Sequence, residues 1–233
     1  MTIKSTIATL IIVLLALSNI AFAENSKYYN RQLCSNSEYT CVKIKQHDTW
    51  NKLFPDLRKQ DIIKKINRMN VELTPGMILA LPNNLERLDP LVFAPFPIRI
   101  TPFDRTIIIV DLDDKAFAAY DTFGSLVNWG PISAGKDWCP DIGRGCRTPI
   151  GNYSVQSKGG PDCHSSKYPL PNGGAPMPFC MYFHGGYALH ASTEVPGYNA
   201  SHGCIRMFYK DAEWLNKNFI ETGKKKTWVI VRQ

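Results

Sequence analysis

The sequence has no Cys-x-x-C pair, and its seven cysteines and five histidines do not cluster at the spacing of zinc ligands. This argues against a structural zinc site, and no other motif calls for a metal or a cofactor. The chain also lacks a basic patch interleaved with aromatic residues, a feature of many surfaces that bind nucleic acid. We therefore predict a protein without cofactor, metal or nucleic-acid partner.

Long apolar runs are absent beyond the amino terminus. The run from Ile7 to Ile20 follows Lys4 and precedes Ala21-Phe22-Ala23, an arrangement typical of a signal peptide with its cleavage site. The run is short for a membrane-spanning helix, and no cysteine follows it closely, which disfavours a membrane or lipoprotein anchor. We predict removal of residues 1–23 and export to the periplasm or cell envelope, with no membrane span afterwards.

Positive charge is in excess. The formal net charge is +7, and cleavage of the signal peptide would remove only Lys4 among charged residues. An excess of positive charge favours acidic partners. For an exported protein these are anionic wall polymers or lipid headgroups rather than nucleic acid.

Seven cysteines in an exported chain predict disulfides and one unpaired thiol. Six paired cysteines allow many connectivities, so the count alone leaves the pairing open. Proximity along the chain favours three pairs, which are Cys34 with Cys41, Cys139 with Cys146, and Cys163 with Cys180. This pairing leaves Cys204 free, as a nucleophile requires.

The free cysteine lies in the hexapeptide Ser201-His202-Gly203-Cys204-Ile205-Arg206, and His190 precedes it in Ala-Leu-His-Ala-Ser. In an extended segment His202 and Cys204 would point to the same side, so that the imidazole takes the thiol proton. Gly203 has no Cβ, which would let backbone N–H groups approach an oxyanion. For an isolated His-x-Cys pair the commoner interpretation is a buried cysteine beside a core histidine.

The hexapeptide, followed by the helix-like segment 211–215, resembles the L,D-transpeptidase catalytic domain of the YkuD type. The resemblance covers about residues 104–232 and includes the turn Thr148-Pro149-Ile150-Gly151. It implies a β-rich domain, and the residue pattern agrees: segments 107–112, 116–120, 126–136, 147–155, 177–183, 186–191 and 227–231 have strand character, and 209–222 is an amphipathic helix. The predicted fold class is mainly β with some α.

The resemblance also implies the chemistry. Cys204 would attack the carbonyl of the L-centre of diaminopimelate in a peptidoglycan tetrapeptide stem, release D-alanine and form a thioester. His202 would be the base, Ser201 would orient it, and His190 would line the pocket. Backbone N–H groups at Gly203 and Cys204 would stabilise the oxyanion.

Arg206 is predicted to bind a substrate carboxylate, and the alternative is a structural salt bridge to the sheet or to Asp211. The acceptor would decide the product. A second stem amine gives a 3→3 crosslink, which is the family's default. A lysine of an outer-membrane lipoprotein gives wall anchoring, water gives an L,D-carboxypeptidase, and a free D-amino acid gives exchange. Two other classes stay open: an inactive wall-binding or surface module, and a papain-like hydrolase, whose local motif is missing.

Residues 39–82 predict a small βααβ unit with strands at 39–44 and 77–81 and a helix start at Asp48-Thr49. Ile62, Ile63 and Ile66 share one helical face, with Lys64 and Lys65 towards solvent. The order HDTW, INRMN, LTPGMILALP resembles a LysM domain, a family that binds N-acetylglucosamine-containing glycans such as the peptidoglycan strand. The resemblance implies sugar contacts in the loops around Asp48 and Thr49 and around Asn67 to Asn70, although His47 stands where the family usually has glycine. The alternative is a small helical subdomain without sugar affinity.

Two further segments connect these units. The proline-rich connector 83–103 is too apolar for a free linker and is predicted to pack along the catalytic domain. Residues 157–176 are irregular and bracketed by Cys163 and Cys180, which predicts a disulfide-braced lid beside the active site. We expect the two units to act separately, so that deletion of 39–82 weakens wall binding and spares turnover of soluble stems.

Overall fold

The computed structural model describes residues 28–86 and 89–233, and the predicted signal peptide, residues 1–23, lies outside them. The elements of the described chain are α1 (Tyr29–Leu33), β1 (Tyr39–Lys43), α2 (Trp50–Leu53), α3 (Leu57–Ile66), β2 (Ile78–Pro82), a 3₁₀ helix (Pro90–Phe93), β3 (Ile107–Asp111), β4 (Ala116–Tyr120), β5 (Leu126–Ser133), β6 (Gly151–Ser154), β7 (Ser157–Lys158), β8 (Met181–His184), β9 (Tyr187–Ala191), β10 (Ile205–Met207), α4 (Tyr209–Trp214), a π-helical turn (Leu215–Phe219) and β11 (Trp228–Arg232). No helix in these residues has both the length and the apolar character needed to cross a membrane.

The strands β3 to β11 form one sheet in the described chain, in the order β6-β11-β3-β4-β5-β10-β9-β8-β7. Strand β10 is the pivot of this order, because it pairs antiparallel with β5 and parallel with β9. One face of the sheet packs on α4 and the π-helical turn through a core that includes Phe117, Ile205 and Leu215. The β-rich fold predicted for this region is confirmed, and the predicted helix 209–222 is a short α-helix followed by a π turn.

The opposite face of the sheet is covered by the proline-rich connector. Phe96 is buried there in a cluster with Tyr120 and Trp129. The indole N–H of Trp129 donates to the Pro90 carbonyl at 2.6 Å, and the Tyr120 hydroxyl donates to the Pro97 carbonyl at 2.8 Å. The described part of the connector is therefore packed along the sheet, as its apolar composition predicts.

Residues 39–82 have β1, α2, α3 and β2 in the predicted order, and the two strands pair antiparallel. Thr49 caps α2, since its side chain accepts the Lys52 N–H at 3.2 Å. His47, at the position where the LysM resemblance would place glycine, has φ +67°, so the left-handed backbone is kept without glycine. Ile62, Ile63 and Ile66 are buried as predicted.

The prediction that Lys65 faces solvent is wrong. Its Nζ donates to Asp211 Oδ1 at 3.0 Å and to the Trp129 carbonyl at 2.8 Å, both in the catalytic region. Arg68, three residues further on, is also buried: its Nε donates to the Asp114 carbonyl at 2.8 Å, and its guanidinium lies over the ring of Trp129. The helical period of α3 shows only that Lys65 lies off the face formed by the buried isoleucines. The tertiary structure shows that Lys65 and Arg68 contact residues outside 39–82.

Candidate active site

The candidate nucleophile stands at the start of β10. In the parallel pair of β9 and β10, Arg206 lies opposite His190. Because side chains alternate along a strand, Cys204 and Arg206 share a face, and His190 shares it across the ladder. All three line a cavity of about 670 Å³. The crossover that places β10 beside β9 thus brings together residues that the sequence keeps apart.

The three residues before β10 form a bend rather than the predicted extended segment. Gly203 has φ +124°, and a Cβ there would lie 2.5 Å from Cε1 of the Tyr187 ring. Glycine is therefore required at this position for two independent reasons. Because the chain bends between His202 and Cys204, simple strand alternation does not put their side chains together.

Two hydroxyl groups hold this bend. Ser201 Oγ donates to the Cys204 carbonyl at 2.5 Å and accepts the Gly203 N–H at 2.9 Å. Thr148 Oγ1 donates to the Gly203 carbonyl at 2.7 Å and accepts the Gly135 N–H at 3.0 Å. The Ser201 hydroxyl is therefore bound to the backbone of its own turn instead of orienting His202, and Thr148 ties this turn to the Thr-Pro-x-Gly loop.

His190 is buried, and its Nδ1 lies 2.8 Å from the Ala191 carbonyl. A carbonyl only accepts, so Nδ1 carries the proton and Nε2 is left as an acceptor. Burial lowers the pKa of His190 to about 4, and the charge of Arg206 acts in the same direction. His190 is thus a neutral, anchored imidazole at pH 7, poised to take up a proton through Nε2.

His202 has a different environment. Its Nε2 lies 2.7 Å from Asp141 Oδ2, and its ring stacks on Tyr168 with centroids 4.6 Å apart. Desolvation raises the pKa of Asp141, but the hydrogen bond from His202, a backbone hydrogen bond and the charges of His202 and Lys136 together hold the pKa below its ordinary value. The ionised carboxylate accepts from Nε2–H, so this nitrogen is not available as a base.

The loop that carries Asp141 is closed by the disulfide between Cys139 and Cys146. A ring nitrogen of His202 and the two sulfur atoms lie within 4.8 Å of one another. These three atoms have metal-ligand spacing, but sulfur atoms joined in a disulfide are not thiolates and do not bind zinc in that form. The loop therefore acts on His202 through packing and the Asp141 carboxylate.

Cys204 is the free cysteine, and the other six form the three predicted pairs, Cys34–Cys41, Cys139–Cys146 and Cys163–Cys180. Its Sγ lies 3.7 Å from the Gly186 carbonyl. Burial raises the pKa of the Cys204 thiol, offset only in part by a backbone hydrogen bond at Ala188 and the charge of Arg206. In the described chain, Sγ is not hydrogen-bonded to either imidazole. The resting pair is thus a neutral thiol beside a neutral His190, not a thiolate–imidazolium pair.

Arg206 is bound to the loop that follows β9. Its Nη1 lies 3.1 Å from Glu194 Oε2 and 3.3 Å from the Glu194 carbonyl. The Glu194 side chain is 72% exposed, so an incoming carboxylate can compete with it for the guanidinium. Asp211, the alternative partner considered for Arg206, is bound to Lys65 instead.

The irregular segment between β7 and β8 borders the cavity. Residues 165–168 and 175–178 line it, and the Cys163–Cys180 disulfide joins the segment to the residue just before β8. The segment predicted as a lid thus forms part of the cavity wall. Tyr168, in this segment, is the residue that stacks on His202.

The three predicted sugar-contact residues do not line the cavity. Asp48 accepts the Lys45 N–H at 2.8 Å, and Thr49 is the helix cap. Asn67 is fully buried, with its amide bonded to the Ile63 and Ala80 backbone. A role for Asn67 in binding sugar is not compatible with this burial, because its polar atoms already hold the unit together.

Sequence reasoning missed Asp141, Glu194, Tyr168 and the anchoring role of Thr148. Asp141 had one signal, its position inside a short disulfide loop. Glu194 and Tyr168 had none, since both reach the site from loops whose path depends on the whole fold.

Comparison with known proteins gives both a family and a fold. The family model for the YkuD L,D-transpeptidase catalytic domain matches residues 105–231. The solved L,D-transpeptidase (residues 123–326) from Xylanimonas cellulosilytica is 23% identical with a TM-score of 0.53, over 75% of this chain and 79% of that chain. A search of curated proteins returns no match.

Two further structures are more distant. The L,D-transpeptidase from Stackebrandtia nassauensis is 17% identical with a TM-score of 0.46, over 60% of this chain and 61% of that one. The enzyme from Mycobacterium smegmatis is 22% identical with a TM-score of 0.44, over 55% and 59%. The chain thus spans less than two thirds of these two relatives.

Proposed function

Because the chain belongs to the YkuD family of L,D-transpeptidase catalytic domains, which are acyltransferases with a cysteine nucleophile, we propose that Cys204 is acylated by the tetrapeptide stem of peptidoglycan. The observation that carries this proposal is the free thiol of Cys204 in a cavity shared with His190 and Arg206. Sγ attacks the carbonyl of the L-centre of diaminopimelate. A C–S bond forms, the amide bond to the terminal D-alanine breaks, and D-alanine leaves as the free amine.

We assign the general base to His190 and not to His202. The Nδ1–H of His190 is held by the Ala191 carbonyl, so Nε2 is free to accept the thiol proton and pass it to the departing amine. Nε2 of His202 donates to Asp141, and the bend at 202–204 removes the strand alternation that would turn its other nitrogen towards Cys204. His202 instead closes the cavity wall together with Tyr168. The base later takes a proton from the acceptor amine that attacks the thioester.

Two matched variants, His190→Asn and His202→Asn, distinguish the two assignments of the general base. We expect His190→Asn to lower the acylation rate about 10²- to 10⁴-fold, the range for loss of a general acid–base. His202→Asn should lower it much less, because only packing and one hydrogen bond change. Single-turnover acylation followed by intact mass gives both rates. The reverse order of the two rates would return the base to His202.

Backbone donors supply the oxyanion site. The Gly203 N–H already donates to Ser201, so we assign this role to the N–H of Cys204. Arg206 binds a carboxylate of the stem by exchanging Glu194 for it, which keeps its charge paired before and after binding.

We propose that the acceptor is a second stem amine and the product a 3→3 crosslink; a lipoprotein lysine, water or a free D-amino acid would give the related products. The deciding experiment incubates the mature protein with a disaccharide-tetrapeptide and analyses the products. A dimer with release of D-alanine supports crosslinking, and a tripeptide alone supports an L,D-carboxypeptidase. Cys204→Ala should abolish both. No turnover by a protein whose Cys204 resists alkylation would favour an inactive wall-binding module.

The βααβ unit is proposed to bind the glycan strand through the loop that begins at His47. What supports this is the LysM-like order of elements and the left-handed backbone at His47 beside Asp48 and Thr49. The test is retention of Cys204→Ala protein on purified sacculi, with soluble N-acetylglucosamine oligomers as competitor. The oligomers should release the protein. Retention that they leave unchanged would contradict sugar binding by this unit.

Export to the periplasm or cell envelope is proposed from the apolar amino terminus and from three disulfides, which persist in oxidising compartments. Amino-terminal sequencing of the envelope fraction should begin at Glu24. A cytosolic protein that still carries residues 1–23 would contradict the proposal.

A further inference from the structure

One wall of the active-site cavity is the loop of residues 192–197 that leaves β9. Ser192, Thr193 and Glu194 line the cavity, and Glu194 holds Arg206 through both its carboxylate and its carbonyl. The loop has few bonds to its own sheet, chiefly the Ser192 N–H to the Met207 carbonyl at 2.9 Å. Its far half therefore depends on other contacts for its position.

Those contacts come from residues 28–82, the amino-terminal unit that comprises α1 and the βααβ unit, and Asn70 makes most of them. Its Nδ2 donates to the Ser192 carbonyl at 2.8 Å, its Oδ1 accepts the Val195 N–H at 2.9 Å, and its own N–H donates to the Val195 carbonyl at 3.0 Å. One residue thus fixes the loop on both sides of Glu194. Next to it, Met69 forms a β-bridge with Pro196.

The end of the loop is held by the same unit. The Tyr29 N–H donates to the Gly197 carbonyl at 3.0 Å. Gly197 has φ +86°, and a Cβ there would lie 3.3 Å from the Asn67 carbonyl. The loop is thus fitted closely against the amino-terminal unit along residues 195–197, and Val195 is fully buried.

We propose that Asn70 is a positioning residue for acyl transfer: it sets the loop, and the loop sets the Glu194 carbonyl. That carbonyl keeps the guanidinium of Arg206 in place when the substrate carboxylate displaces the Glu194 side chain. The inference rests on the proposed function. It makes the amino-terminal unit a structural part of the active site, whether or not this unit binds sugar.

The physical reason is hydrogen-bond satisfaction. Asn70→Ala leaves the buried Val195 N–H and the Ser192 carbonyl without their partners, and an unpaired buried group is costly enough to move a loop that few other bonds hold. The Glu194 carbonyl then loses its fixed place beside Arg206 Nη1, and the guanidinium loses a charge-assisted contact that it keeps when substrate binds. Because the thiol and His190 lie on the rigid strands β9 and β10, the chemical step is affected less than binding.

The test measures KM and kcat for a soluble tetrapeptide donor with Asn70→Ala and, as matched control, Asp61→Ala. Asp61 also crosses between the two units, through an exposed ion pair with Lys210 at 3.2 Å, but it does not touch the cavity. We expect Asn70→Ala to raise KM about tenfold, the loss of one charge-assisted contact, and to change kcat less than about twofold. Asp61→Ala should match the wild type.

A double variant separates positioning from a general loss of structure. In an Arg206→Met background the Asn70→Ala change should have little further effect on KM, because its route to the substrate is gone. The same fold-change in both backgrounds would overturn the inference. Should Asn70→Ala not fold, Asn70→Asp keeps the acceptor for Val195 and loses the donor to Ser192, and an unchanged KM in that variant would equally overturn it.

Hydrogen exchange gives a readout that does not need activity. Asn70→Ala should speed exchange in residues 192–197, and Asp61→Ala should not. If the wild type transfers no acyl group, the proposed function fails, while the exchange result still decides whether Asn70 holds the loop. If the wild type is active and Asn70→Ala matches it in KM and exchange, only the inference fails.

Discussion

At the scale of single residues, the site is notable for two neutral groups where the sequence suggested an ion pair. Burial raises the pKa of Cys204 and lowers that of His190, so at pH 7 neither group is charged. Desolvation dominates both, and it favours the neutral form of a thiol and of an imidazole alike. Under the proposed mechanism the thiol proton therefore passes to His190 as Sγ attacks the substrate carbonyl, not before substrate binds.

A first prediction concerns the reactivity of Cys204. Because the pKa of its thiol lies above the ordinary value of 9.0, its alkylation by iodoacetamide should keep rising with pH beyond pH 9. The measurement is the alkylation rate from pH 6 to 10, with Cys204→Ala as the blank. A rate that is already level below pH 8 would indicate a preformed thiolate.

A second prediction concerns His190 and stability. Its pKa is about 4 in the fold and about 6.5 when unfolded, so the unfolded chain binds the extra proton between these values. The contribution is full above pH 6.5 and is lost as pH falls towards 4, in total roughly 3 kcal/mol. Urea unfolding from pH 7.5 to 4 measures it.

The matched variants are His190→Asn and His202→Asn. The first should flatten the stability profile between pH 6.5 and 4, and the second shows what loss of a histidine elsewhere in the site does to that slope. An unaltered slope in His190→Asn would assign the acid sensitivity to other groups.

At the scale of elements, the turn before β10 depends on a neighbouring loop. Thr148 is buried, and its hydroxyl makes two hydrogen bonds. It donates to the Gly203 carbonyl in the turn and accepts the Gly135 N–H. Thr148→Val keeps the shape and removes both bonds, so it should lower the free energy of unfolding by about 1–3 kcal/mol and also slow acylation. Thr122→Val, at an exposed turn, is the control in urea unfolding and should change stability by less than about 0.5 kcal/mol. Equal effects of the two variants would contradict the role of Thr148.

The loop from Cys139 to Cys146 offers a sharper comparison. The Cys34–Cys41 disulfide has the same sequence separation of 7, so loss of either bond should cost a similar roughly 2–3 kcal/mol of stability through chain entropy. Of the two disulfide loops, only the one from Cys139 to Cys146 contains Asp141, which contacts His202. Serine pairs at 139 and 146 should therefore lower acyl transfer, and serine pairs at 34 and 41 should lower it much less. Parallel assays of stability and turnover distinguish the two; equal turnover would mean that the loop acts on stability alone.

At the scale of the whole molecule, the interface between the two units is part of the core. Lys65 reaches Asp211, whose pKa is raised by burial in spite of the lysine. Lys65→Met would leave Asp211 buried and unpaired, which should cost about 3–5 kcal/mol in urea unfolding unless the carboxyl takes up a proton. Asp61→Ala, which breaks the exposed pair with Lys210, should cost less than about 1 kcal/mol. Similar costs for the two variants would mean that the units are joined only at the surface.

This interface changes one expectation. Deletion of 39–82 would remove Lys65, Arg68 and Asn70 together, and with them the partners of Asp211 and of the loop 192–197. We therefore expect the deleted protein to lose stability and turnover, so that substitutions at the surface are the better test of glycan binding.

Sequence alone determined what depends on neighbours along the chain. The strands followed from alternation, the disulfide pairs from short separations, and the candidate nucleophile from the hexapeptide that contains it. What only the tertiary structure decided is which groups meet: His190 beside Cys204 across two parallel strands, Asp141 on His202, and Asn70 on the loop of Glu194. Local pattern sets which way a side chain points from its own backbone. Which residue that side chain contacts depends on how the sheet curls and on which elements pack against it, and both depend on the whole chain.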